Sequence, residues 1–338
     1  MTFMIIFQYL CIKDLNAIVM NLLNYTDEQL SQHFDFLEDF ISANVKDWNV
    51  APDTTTIERL FSNEIRRLSN EDFALLLMHT GYIPEIYLPD SSQETLYSKL
   101  IESITCEWAR RIGFVDSYLQ TQKSNKEDVT IKLNDNIIVC DAKSFRLGRS
   151  QAAPNVKDTI KKQAYTTWLE QYPINNRVGG LVSFPSLHDW QKGSEAYIYF
   201  TSDNPPVMFI FYEQMAFMLL NNIRADKVID FLKSYNVIFP NPSKEKIVYW
   251  NGFNNFFFAD KANEYDNFCK TFSVVISKKV KYSVMKLSNI LNEAKASISN
   301  DVNQLSYDEL KEMAIEARYN ELYSDLERQR DNIIRFRQ

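Results

Sequence analysis

A chain of 338 residues, 45% hydrophobic and 24% charged, has a soluble globular composition and enough length for a sizeable core. It has only 7 glycines and neither a GxGxxG nor a GxxxxGKS/T run, which sets aside the glycine-rich phosphate loops. The formal net charge of −7 weighs against a nucleic-acid partner unless the charge is segregated or bound metal ions add positive charge locally.

Met1 to Ile12 is apolar but short of the roughly 20 residues that span a bilayer, and it lacks the basic start of a signal peptide. It reads as a buried helix or strand, or as an extension upstream of a start at Met20. Neither reading implies export. The next hundred residues read as helices. Tyr25 to Ile41 and Thr55 to Leu68 carry apolar residues at three- and four-residue spacing. Ser69 or Asn70 caps a third helix that runs to Thr80, with Gly81 just past its end. Ser91-Ser92-Gln93-Glu94 is a capping box; behind it Leu96, Leu100, Ile104, Trp108 and Ile112 line one face, and Gly113 closes the helix.

The period then changes to two. Val129, Ile131 and Leu133 alternate with Thr130 and Lys132, Asn134-Asp135-Asn136 signals a turn, and Ile137 to Lys143 is a second strand. A helix is predicted around Val156 to Tyr172, and strands over Gly179 to Pro185 and Ala196 to Phe200. Val207 to Tyr212 reads as a further strand, leading into a helix through Leu220. From about Phe256 the pattern is helical again, and Leu305 to Arg337 is a charged amphipathic segment suited to packing on the body or on a second subunit. The chain therefore reads as one α/β unit: a helical segment over 1–80, a core over 81–255 built on a central mixed sheet flanked by helices, and a helical segment over 256–338.

The four cysteines, Cys11, Cys106, Cys140 and Cys269, form no CxxC pair and read as free thiols of a reducing, cytoplasmic compartment. His33, His79 and His188 have no zinc-ligand spacing. His188-Asp189-Trp190 lacks a nucleophile elbow and reads as a loop. Phe256-Phe257-Phe258 reads as packing, with base stacking as the alternative.

The residues that carry chemistry are Asp128, Asp141 and Lys143. Asp141 and Lys143 are two apart on a strand and share a face. A turn near Asp135 sets Asp128 opposite them. Two carboxylates and the backbone carbonyl of Ala142 suit a hard cation such as Mg2+, which activates water and stabilises charge on a phosphate. Lys143 is placed to position or help deprotonate the attacking water. The alternative is a salt bridge on a sheet edge. Acid-x-Lys recurs at Glu293-Ala294-Lys295 and Glu309-Leu310-Lys311, but in helical patterns, where the two residues do not share a face. From Asp141 to Lys162 the charge turns basic: Lys143, Arg146, Arg149, Lys157, Lys161 and Lys162 stand against Asp141 and Asp158. A basic patch beside a metal site suits a phosphate backbone.

Asp141-Ala142-Lys143-Ser144-Phe145-Arg146-Leu147 resembles the active-site strand of the HindIII family of type II restriction endonucleases, within the PD-(D/E)xK nucleases. Gln122, Asn125 and Asp128 resemble the segment that carries its first acid. Pro84-Glu85 and Ser92-Gln93-Glu94 with Leu96, Ser98 and Lys99 resemble its preceding helix, and Lys157-Asp158, Trp168 and Phe211 through Leu220 are similar downstream. The resemblance implies a Mg2+-dependent homodimer that cuts both strands of a short palindrome, of AAGCTT type, leaves 5′-phosphates, and works beside a DNA methyltransferase acting on the same site. It implies Asp128 and Asp141 as metal ligands, Lys143 as the catalytic lysine and Glu102 as an accessory acid. It places base reading at Asn155, Lys157 and Asp158, with Arg146, Arg149 and Lys161 among the DNA contacts. The loop Gln151-Ala152-Ala153-Pro154 departs from the family pattern, which bears on the bases read. A repair or recombination nuclease on the same core and a non-catalytic DNA-binding protein are the competing readings.

Overall fold

The computed structural model describes residues 25–120, 126–146, 162–185 and 195–335. Four helices come first: α1 (Asp27–Asn44), α2 (Thr54–Arg66), α3 (Asn70–His79) and α4 (Ser92–Arg111). Each begins where a short polar side chain accepts from an otherwise unpaired backbone N–H. Thr26 does so for α1, Asp53 for α2, Ser69 for α3 and Ser91 for α4. The predicted stripe on α4 is buried: Leu96, Leu100, Ile104 and Trp108 have no exposed surface. Each such side chain contributes roughly 1.5–3 kcal/mol relative to exposure.

A five-stranded sheet follows, made of β1 (Tyr118–Leu119), β2 (Val129–Leu133), β3 (Asn136–Ala142), β4 (Arg177–Phe184) and β5 (Val207–Phe211), in that spatial order. β1, β2 and β3 are antiparallel; β3, β4 and β5 are parallel. Leu133 pairs with Asn136 across a two-residue turn in which Asn134 takes φ 52°, a left-handed conformation that asparagine tolerates. The parallel strands need crossovers, and these carry α5 (Lys162–Leu169) and α6 (Glu195–Phe200). β4 and β5 are almost wholly apolar, as strands covered on both faces are.

The predicted strand at Ala196 to Phe200 is a helix. Ala196, Tyr197 and Phe200 are buried at helical spacing, and the Thr201 hydroxyl donates to the Tyr197 carbonyl. Five aromatic and aliphatic residues fit either period, and packing decides between them. Beyond β5, α7 (Tyr212–Leu220), α8 (Ala225–Lys233), α9 (Tyr235–Ile238) and α10 (Lys246–Phe258) continue the same core. Phe257 and Phe258 are buried in an aromatic cluster with Phe231, Phe253 and Tyr265, so this run packs the interior.

Two long helices end the described chain, α11 (Ala262–Val302) and α12 (Tyr307–Arg335). The chain divides into two compact units, one through Tyr282 and one over Ser283–Gln338. In the first, Lys279 of α11 donates to the Phe34 carbonyl and Tyr282 donates to the Asp35 carboxylate, which ties the start of α11 to α1. The second is helical and keeps Leu291, Ile298, Ile315, Leu322 and Leu326 exposed. Among the described residues, no helix is long and apolar enough to cross a membrane.

Candidate active site

The site forms where β2 begins and β3 ends. β2 and β3 pair Val129 with Cys140 at the end of their ladder, and Asp128 and Asp141 are the next residue on each strand. The Asp128 N–H donates to the Cys140 carbonyl at 3.0 Å, and its carboxylate accepts from the Ala142 N–H at 3.0 Å. That second bond replaces a backbone partner with a side chain and holds the Asp128 oxygens against the β3 terminus. Lys143 Nζ lies 2.7 Å from Asp141 Oδ1 in an ion pair that is largely shielded from solvent. The backbone beyond β3 is equally fixed. Lys143 N–H donates to Ser183 of β4, its carbonyl accepts from the Tyr212 hydroxyl, and Phe145 exchanges backbone bonds with Gly81 and Ile83. Gly81 has φ 86°, and a Cβ there would meet the Tyr212 ring at 2.6 Å, so only glycine lets these segments close.

Electrostatics mark the same place. Asp128 is raised by burial and by the facing charge of Asp141, against the Ala142 hydrogen bond and Lys143. Glu102, on α4, is pushed up to about 8 by burial and by the charge of Asp128, although Lys99 ion-pairs with it. Three acids thus share one poorly solvated corner. Like charges so placed favour either a proton or a bound cation. Tyr165 of α5 completes the wall: it is fully buried, and its hydroxyl lies beside Asp141.

The oxygens of Asp128 and Asp141, with the Ala142 carbonyl, form the kind of donor set that hard cations take. Glu102 stands within electrostatic reach, in keeping with an accessory acid. Among the described residues, no group of three or more His, Cys, Asp or Glu side chains is arranged to hold a metal ion by itself, so the Ala142 carbonyl would have to serve beside the two aspartates. The residues fit the cation that the spacing suggests.

Of the expected DNA contacts, Arg149, Asn155, Lys157, Asp158 and Lys161 lie outside the described residues, as does His188. Arg146 is among the described residues: its guanidinium pairs with Glu94 at 3.0 Å and donates to the Pro84 carbonyl, and its side chain is only 6% exposed. An arginine so engaged braces the segment after β3, while its Nε has no hydrogen-bond partner among the described residues.

The profile of the HindIII restriction endonuclease family matches residues 39–281 of this chain. The chain belongs to the HindIII restriction endonuclease family. It is also 27% identical over 195 residues to the type II restriction enzyme HindIII of Haemophilus influenzae, a match that covers 57% of this chain and 60% of that enzyme. The match therefore spans about three fifths of that enzyme's length. The family's matched region contains the entire sheet and every residue of the corner just described, and it ends at the start of the exposed helical unit.

Sequence reasoning left several residues of this corner unassigned. Lys99 was visible only as part of a helix. Tyr165 and Tyr212 lie 24 and 71 residues beyond Asp141, and no local spacing connects them to it. Glu127, next to Asp128, is also buried, and its Oε1 accepts from Tyr172, Thr130 and Gln120.

Proposed function

We propose that this protein is a type II restriction endonuclease on a PD-(D/E)xK core: a Mg2+-dependent homodimer that cuts both strands of double-stranded DNA at a short palindrome. The observation that carries the reading is the Asp128 carboxylate held by the Ala142 N–H at the end of β3, facing Asp141, with Lys143 2.7 Å from Asp141. Family membership supports the reaction class, and the geometry of the corner is compatible with the roles assigned below.

Asp128 and Asp141 would hold Mg2+ with the Ala142 carbonyl, and Glu102 would act as an accessory acid from α4. A bound Mg2+ supplies Lewis-acid stabilisation of the phosphate charge and lowers the pKa of water. Lys143 Nζ, fixed by Asp141 on one side, orients the attacking water toward phosphorus through its remaining protons. Water adds to phosphorus and gives up one proton to solvent, the bond to the 3′-oxygen breaks, and that oxygen takes a proton from solvent, leaving a 5′-phosphate and a 3′-hydroxyl.

We assign base reading to the segment after β3, with Asn155, Lys157 and Asp158 for the base edges and Arg146, Arg149 and Lys161 for phosphates. Asparagine and lysine suit purine edges in the major groove. Two-fold symmetry of the protein would match that of an AAGCTT-like site, with one strand cut per subunit. A DNA methyltransferase acting on the same site would protect the host DNA in the cytoplasm.

The test is incubation of purified protein with unmethylated phage DNA in Mg2+ and in EDTA. Discrete fragments in Mg2+ alone, with 5′-phosphate ends, are expected. A smear would favour a repair-type nuclease, and intact DNA across metals and salts would favour a binding protein.

A further inference from the structure

Tyr165 has two features that packing alone does not explain. Its side chain has no exposed surface, and its hydroxyl is sealed from solvent without closing a hydrogen bond of ordinary geometry to any described residue. A buried hydroxyl without a partner costs the fold stability, and phenylalanine would fill the same space without that cost. The hydroxyl also lies against a particular group, the Asp141 carboxylate, which presents one oxygen to Lys143.

The surrounding backbone is cut to admit this ring. Gly180 of β4 pairs with Val139 of β3, two residues before Asp141 and therefore on the same face of the sheet. A Cβ at Gly180 would collide with the Tyr165 ring. A glycine inside a central strand weakens it, and here the missing side chain is the space that the ring occupies. α5 thus rests on the face of the sheet that carries Asp141, with the Tyr165 ring in the space above Gly180. Trp168, one turn later, meets the Tyr165 ring edge-on at 5.1 Å between centroids and fixes its tilt.

We propose that Tyr165 is a positioning residue for Asp141: its hydroxyl donates to the carboxylate oxygen turned away from Lys143, and so fixes the rotamer in which Asp141 faces a bound divalent cation. This rests on the metal-site reading given above. Carboxylate ligands are ordinarily held by such outer hydrogen bonds, and their removal typically costs about 10–100-fold in metal affinity or activity.

The experiment compares wild type, Tyr165→Phe and Asp141→Asn, with Mn2+ titrated calorimetrically into the DNA-free protein and thermal melting and DNA affinity in EDTA measured alongside. Tyr165→Phe is expected to weaken Mn2+ binding about tenfold, with DNA affinity in EDTA within about twofold and no loss of melting temperature. Gly180→Ala keeps the hydroxyl but displaces the ring, and is expected to weaken Mn2+ in the same direction, which covers the case in which Tyr165→Phe misfolds. If Asp141→Asn loses Mn2+ while Tyr165→Phe binds it as wild type does, the hydroxyl is only a packing residue and the proposal is overturned. If wild type and Asp141→Asn show the same Mn2+ binding, or none, the metal-site reading itself falls and the proposal with it.

Discussion

Glu127 and Asp128 are adjacent acids at the start of the same strand, both largely removed from water, and the protein treats them in opposite ways. Glu127 is 2% exposed, and its Oε1 accepts from the Tyr172 hydroxyl, the Thr130 hydroxyl and the Gln120 amide. Three donors reach that oxygen, while Oε2 is buried with no hydrogen-bond partner among the described residues. Asp128 receives one backbone N–H from Ala142 and otherwise faces another carboxylate. An acid with one oxygen saturated by neutral donors is a fastener, whereas an acid set against another carboxylate gains from a bound cation. Burial alone does not separate the two; what separates them is the neighbour each one faces, neutral donors for Glu127 and a second carboxylate for Asp128.

Substitutions can break or sharpen this contrast. On the unsaturated side, Asp141→Ala removes a carboxylate and the partner of Lys143, and cleavage is expected to fall below detection while the melting temperature changes little. Lys143→Ala should lower the single-turnover rate by about 10²–10⁴-fold with DNA affinity nearly unchanged. A loss of DNA affinity equal to the loss of rate would show Lys143 to be a phosphate contact instead. Glu102→Gln should cost less, about 10–100-fold in rate or in the Mg2+ concentration needed for half-maximal cutting. On the saturated side, Glu127→Gln replaces an acceptor-only group by one that brings its own donors. It should destabilise the fold by about 1–3 kcal/mol in urea unfolding and leave the Mg2+ dependence of cutting in place.

The smallest expected effect lies away from the site. His79 is buried beside Lys279, with His33 near and Glu38 lining the same small cavity, and burial followed by those positive neighbours holds it well below its usual value. The folded state therefore keeps His79 neutral while the unfolded chain takes up a proton below about 6.5, so stability is full above that pH and is lost as pH falls. The slope from this one group is at most about 1.4 kcal/mol per pH unit, and His79→Gln should remove it from urea midpoints measured between pH 7 and 5.

Much of the fold was legible because its signals are local. Caps at Ser69 and Ser91, alternation from Val129 to Leu133 and the asparagine turn each act within a few residues, and the structure keeps them. The same holds for the Asp128, Asp141 and Lys143 set, because a hairpin makes distant chemistry local. Ala196 to Phe200 was not legible, since a short run of apolar residues fits two periods and the core chooses. The buried state of Arg146 was not legible either, because its partners Glu94 and Pro84 lie more than 50 residues upstream and a charge count cannot tell an inward guanidinium from an outward one. Tyr165 and Gly180 belong to a contact between a helix and a strand for which sequence spacing provides no register.

The most direct test is one gel: wild type, Asp141→Ala and Glu127→Gln, each with unmethylated DNA and Mg2+, beside DNA binding measured in EDTA. The account predicts discrete fragments from wild type and Glu127→Gln and none from Asp141→Ala, with all three binding DNA alike. Fragments from Asp141→Ala as abundant as those from wild type would place the chemistry elsewhere in the chain and contradict it.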